Sequence, residues 1–144
     1  MPKVDINDSK GLYETPGSGL YRNGVEISST ASELDSLYLC ADILDISSAA
    51  NDCFVPCPVD GTLVAAYATN SGGTPGATAT FTIQVGGTGT STLVFASGDV
   101  SGTVKSDTTL DMSVTAGQSI SLDNDGGASG ARRLNVVFVV EHTT

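Results

Sequence analysis

The side chains richest in chemistry are the three cysteines, Cys40, Cys53 and Cys57, and the single histidine, His142. Four such groups are the number a Cys3His zinc site needs. The spacing does not suit one: Cys53-Phe54-Val55-Pro56-Cys57 is not a CxxC pair, and the histidine would have to return from the far end of the chain. An odd thiol count without a secretory leader favours free thiols, with a bridge from Cys40 to Cys53 or Cys57 as the alternative. Buried cysteines acting as small hydrophobes are the plainest reading. One histidine also leaves a serine or cysteine nucleophile without a visible base. Pairs of aspartates exist, but glycosidase carboxylates must face each other across a cleft, which linear order does not reveal. Sugar platforms usually use tryptophan, and the chain has none. The expectation is a protein that is not an enzyme and carries neither cofactor nor metal.

Two glycine-rich stretches imitate ligand loops. "GGTGTST" (86–92) has closely spaced glycines, but no helix follows to hold a phosphate at its N-terminus, so it reads as a hairpin. "DNDGG" (123–127) resembles part of a calcium loop, yet the full ligand spacing and the distal acid are missing. Asx-turn chemistry is the plainer account, with a weak surface calcium site as the alternative.

Charge narrows the partners. Sixteen acids against six bases give a net charge of −10 over 144 residues. Nucleic-acid binding needs clustered Lys and Arg, and the sole basic doublet, Arg132-Arg133, reads as a solvated strand end. No apolar run approaches the length of a membrane span. "MPKVDINDSK" lacks an apolar leader segment, so synthesis in a cytoplasm is expected. Neither nucleic acid nor membrane is an expected partner.

The elements that would position these residues fall into two parts. Residues 1–53 read as an N-terminal arm in which polar and turn residues surround scattered Leu12, Tyr13, Leu20, Tyr21, Val25 and Ile27. One short helix is expected near 30–39. Thr30-Ala31-Ser32-Glu33 has capping-box spacing, and Leu34, Leu37 and Tyr38 recur at i, i+3 and i+4. Such a helix is marginal alone and must lean on something.

Residues 54–144 read as β. In "ATATFTIQV", Ala77, Ala79, Phe81, Ile83 and Val85 alternate with Thr78, Thr80, Thr82 and Gln84. Further strands are expected over 62–70, 91–97, 108–114, 118–124 and 132–140, with turn residues between them. The last carries apolar residues on both faces, Leu134, Val136, Phe138 and Val140 against Val137 and Val139, and so belongs in the middle of a sheet. The expected class is all-β: an antiparallel β-sandwich or jelly-roll-like domain after an extended arm.

Several phrases, in order, resemble those of the head decoration, or cement, proteins of tailed bacteriophages. "NGVEISSTASELDSL" (23–37) is similar to their "NGV…TATAAELN". "CPVDGTLVAAYA" (57–68) is similar to "DGT…KIY", and "IQVGGT" (83–88) to the "IGGT" hairpin. "SVTAGQSISLDNDG" (113–126) and "LNVVFVVE" (134–141) resemble their "VSAGD…IE" turn and apolar last strand. The cysteines and the long "ISSAANDCFVPCP" linker depart from that pattern.

The resemblance implies a structural virion protein without enzymatic activity. It would be made in the host cytoplasm and sit as a homotrimer on the outer surface of an expanded capsid, tying major capsid proteins together. It also implies roles for the residues. Leu12, Tyr13, Leu20, Tyr21, Val25 and Ile27 of the arm would grip the shell, and Leu34, Leu37 and Tyr38 would contact a neighbouring subunit. The alternative is a host-surface-binding β module of a tail fibre or spike.

Overall fold

The structure, a computed structural model, describes residues 6–7, 11–12, 20–22, 25–27, 36–129 and 132–142. The chain divides into two compact units, Met1–Leu34 and Asp35–Thr144. In the first, β1 (Ile6–Asn7) pairs antiparallel with β2 (Gly11–Leu12), and β3 (Leu20–Arg22) with β4 (Val25–Ile27).

The second unit contains β5 (Ser36–Ile43), β6 (Cys53–Pro56), β7 (Gly61–Ser71), β8 (Ala79–Val85), β9 (Thr88–Phe95), β10 (Val104–Asp107), β11 (Met112–Val114), β12 (Ser119–Asn124) and β13 (Arg133–His142). They form two antiparallel sheets. One is five-stranded in the order β10-β7-β13-β5, with β11 also paired to β7; the other runs β6-β12-β8-β9. β5 therefore joins a sheet whose other strands all lie beyond Phe54.

Alternation builds both sheets. Ala79, Phe81, Ile83 and Val85 of β8 are buried, while Thr80, Thr82 and Gln84 between them are half-buried. Leu134, Val136, Phe138 and Val140 of β13 are buried beside Ala68, Ala66 and Leu63 of β7. These inward side chains of the two sheets make one core. Phe81 and Phe95 meet in it edge to face, ring centroids 6.0 Å apart, the arrangement their quadrupoles favour. β13 lies between β5 and β7, the central place its two apolar faces require. Its ladder with β7 shifts register between Val139 and Val140.

Turn chemistry sets the connections. β8 and β9 are joined by Gly86 and Gly87, both with positive φ, 58° and 80°. That is the type I′ geometry a tight hairpin needs, and glycine adopts it without strain. The "DNDGG" stretch closes as Asx turns: the Gly126 N–H donates to Asn124 Oδ1 at 3.0 Å, and the Gly127 N–H to Asp125 Oδ1 at 2.7 Å.

Two expectations are corrected. The helix near 30–39 is not formed where the structure describes that segment: Ser36–Ile43 is a strand paired with β13 along its length. Leu37, Leu39, Ala41 and Ile43 face the core, and Ser36, Tyr38, Cys40 and Asp42 face outward. Pairing with the apolar β13 outweighs the weak preference of two helical turns. The capping-box residues Thr30 to Glu33, and Leu34, lie outside the described residues. The strand expected over 108–114 is also different. β10 and β11 both pair with β7, and between them the Leu110 N–H donates to the Val64 carbonyl at 3.2 Å.

Candidate assembly surface

The two lateral sides of the two-sheet unit are finished differently. On one side the edges β9 and β10 approach each other, and side chains clasp them. The Ser91 hydroxyl donates to Asp107 Oδ2, and the Thr109 N–H and hydroxyl donate to Asp107 Oδ1 at 2.9 and 2.8 Å. The Ser91 hydroxyl first, and then the Thr109 donors, hold the Asp107 carboxyl below the usual aspartate range. Lys105 pairs with Asp99 at 2.9 Å and stands 5.9 Å from the Phe95 ring centroid. Behind this clasp Leu93 and Phe95 of the edge strand β9 are buried.

On the other side β5 and β6 are the neighbouring edges. Their inward side chains Leu37, Leu39, Ala41 and Val55 are only partly buried although they pack on the core. Among the described residues the core is thus fully covered at β9 and β10, whereas on the β5–β6 side Ile43 and Cys53 are buried and Leu37, Leu39, Ala41 and Val55 only partly so.

The outer face of the five-stranded sheet adjoins the β5–β6 side. Tyr38, Val139 and Ala65 are register partners in one row across β5, β13 and β7; Cys40, Val137 and Tyr67 form the next. Tyr38 is 65% exposed and Tyr67 39%. Ser36, Glu141 and Thr62 border these rows at one end, and Asp42, Asn135 and Thr69 at the other. An uncharged centre with tyrosines and a polar rim is the anatomy of a protein-binding face.

The thiols do not converge. Cys40 is exposed on the outer face, whereas Cys53 and Cys57 are buried; all three are free. Cys53 and Cys57 sit four residues apart along nearly extended backbone, about 13 Å at the usual strand rise, beyond disulfide reach. The Cys57 thiol donates to the Val59 carbonyl at 3.3 Å, and burial raises the Cys53 thiol above its ordinary pKa. Both behave as small core residues, as the plainest reading expected, while Cys40 does not.

Among the residues expected to contact partners, Leu12 lies in β2 opposite Ile6. Leu20 pairs with Ile27, Tyr21 with Glu26 and Arg22 with Val25 in the β3–β4 hairpin. Tyr13 and Leu34 lie outside the described residues. Leu37 turns inward, and Tyr38 outward. Tyr67, Val137 and Val139, which complete the apolar face, were not singled out as contacts from sequence. Of the basic doublet, Arg133 is exposed at the start of β13, and Arg132 Nε donates to the Thr74 carbonyl at 3.2 Å.

No protein-family model matches the chain, and no curated protein matches it. Among solved structures it is similar to a chain described as "Cyanophage Pam1 capsid asymmetric unit". The two are 19% identical, the alignment covers 99% of this chain and 100% of the other, and the TM-score is 0.47.

Proposed function

We propose that this chain is a structural protein of a tailed-phage virion, a decoration or cement protein that binds the outside of the expanded head as a homotrimer. In this reading it is not an enzyme. It ties neighbouring major capsid proteins together. The observation that carries the reading is the order of the phrases from Asn23 to Glu141, which follows that of phage head decoration proteins from arm to last strand. The uncharged tyrosine-bearing face supports a protein partner, and the net charge of −10 agrees with a soluble component added late at high local concentration. The arm residues Leu12, Tyr13, Leu20, Tyr21, Val25 and Ile27 grip the shell. Leu34, Leu37 and Tyr38 serve the contact between copies. With Leu37 turned into the core, Tyr38 carries more of that contact.

The test is decoration in vitro. Expanded heads lacking the protein are mixed with the full chain or with a chain lacking residues 1–22, and bound protein is measured after sedimentation. The full chain is expected to bind and the truncated one, still folded, to stay in the supernatant. Full occupancy by the truncated chain would place the shell contact elsewhere. A full chain that fails to bind heads at all would favour the fibre or spike reading.

A further inference from the structure

Exposed strand edges invite pairing, and natural sheets blunt them with short length, proline, lysine or bulges. Most edges here are treated in that way. β6 ends in Pro56, β10 is four residues long and carries Lys105, β11 is three residues long, and β9 shifts register against β8. β5 is the exception. It runs eight residues, has neither proline nor lysine, and pairs with β13 without a register shift. Among the described residues β13 is its one strand partner. Its inward Leu37, Leu39 and Ala41 are only partly buried, whereas Leu134, Val136, Phe138 and Val140 on β13 beside them are buried.

We infer that the free edge of β5 pairs antiparallel with β5 of a second copy of this chain, about a two-fold axis at Leu39. The strand is complementary to itself in that register. Leu39 meets Leu39 of the second copy, and each Leu37 meets an Ala41, so the half-covered apolar row continues across the axis. On the outer face each Tyr38 meets a Cys40, joining the two apolar patches. Each Asp42 falls opposite an uncharged Ser36, so no like charges are directly opposed, a juxtaposition that would be destabilising. The shared edge pairs backbone groups that have no strand partner among the described residues, and an isologous contact of this kind closes after two copies. The pairing goes beyond the decoration reading and gives Leu37 and Tyr38 to a contact between trimers rather than within one. A three-fold trimer cannot use it internally, so on a shell it would stitch one trimer to the next.

Ser36 and Asp42 supply the test because both are exposed and point away from the core. In the full-length chain, Ser36→Asp sets two carboxylates opposite two carboxylates, and Ser36→Lys sets two ammonium groups opposite them. Association is read from the concentration dependence of mass by sedimentation. Ser36→Asp is expected to weaken the doubling step by about two- to thirty-fold and Ser36→Lys to tighten it by a similar factor. Glu141 of the same chain is also the register partner of Ser36, but that contact moves the melting temperature rather than the concentration dependence. A nitroxide on the native Cys40 gives a second readout. Its two Cα atoms would lie about 7–8 Å apart as diagonal neighbours, so strong dipolar broadening is expected.

A mass that doubles, from monomer to dimer or trimer to hexamer, with both charge effects in the stated directions, supports the pairing. No doubling, charge effects of equal sign, or an unbroadened Cys40 spectrum overturns it. A trimer that never doubles would keep the decoration reading and remove this one; a dimer with no trimer would do the reverse.

Discussion

Asp107 shows how much one side chain contributes to holding the two sheets in place. It accepts from Ser91 of the facing sheet's edge strand and from Thr109 just beyond its own strand. These donors lower its pKa, so the carboxylate stabilises the fold above the unfolded-state value near 4. That contribution is lost as pH falls through the lower folded value. Asp107→Asn is expected to cost about 0.5–1 kcal/mol at neutral pH, limited by solvent around the site. It should also flatten the loss of stability between about pH 5 and pH 2, measured by denaturant unfolding. Asp45 and Asp99 are shifted the same way, by the Ser47 hydroxyl and by Lys105 respectively, so the variant will keep some acid sensitivity. Gly61 is a second sensitive residue. A Cβ there would run into the Glu141 carbonyl oxygen and stand 2.9 Å from Val140 Cγ1. Gly61→Ala should therefore destabilise by about 1–3 kcal/mol, as overpacking does. The free thiols give a third expectation. Reducing agent should leave the melting temperature nearly unchanged, and a fall of many degrees would reveal a bridge.

At the scale of elements, β8 and β13 were legible because their neighbours force them to be. β8 has one buried face, so Phe81, Ile83 and Val85 alternate cleanly with the polar Thr80, Thr82 and Gln84, and β13 sits centrally, so Val137 and Val139 are apolar too. β5 was not legible for a physical reason. Leu37-Tyr38-Leu39-Cys40-Ala41 is apolar on both faces, and a short unbroken apolar run has no period to separate strand from helix. The capping-box spacing of Thr30-Ala31-Ser32-Glu33 just upstream adds a local signal for helix. The candidate site suffered from the same limit in another form. Tyr38 was found, but Tyr67, Val137 and Val139 reach it only through the lateral register of β5, β13 and β7, and linear order does not encode which strands lie side by side. For the arm, Leu20→Ala and Tyr21→Ala should each weaken binding to expanded heads by about 1–3 kcal/mol if their side chains are buried in the contact. Titration of heads with each variant measures this, and unchanged affinity would take both residues out of the shell contact.

At the scale of the whole molecule, the chain is acidic without a basic cluster, and among the described residues one sheet edge has a single strand partner and the face beside it carries exposed Tyr38 and Tyr67. Decoration by trimers predicts a trimer or a hexamer in solution by light scattering, and a monomer at working concentration would remove the trimer. The central claim, that this protein coats the head, is tested most directly by counting its copies in purified virions. Virions are banded by density, and this chain is quantified against the major capsid protein by mass spectrometry with labelled peptide standards. A cement protein must be present in numbers of the same order as the major capsid protein, because it occupies a repeating site on the shell. A copy number that is a small fraction of it, or absence from the banded particles, would contradict the account.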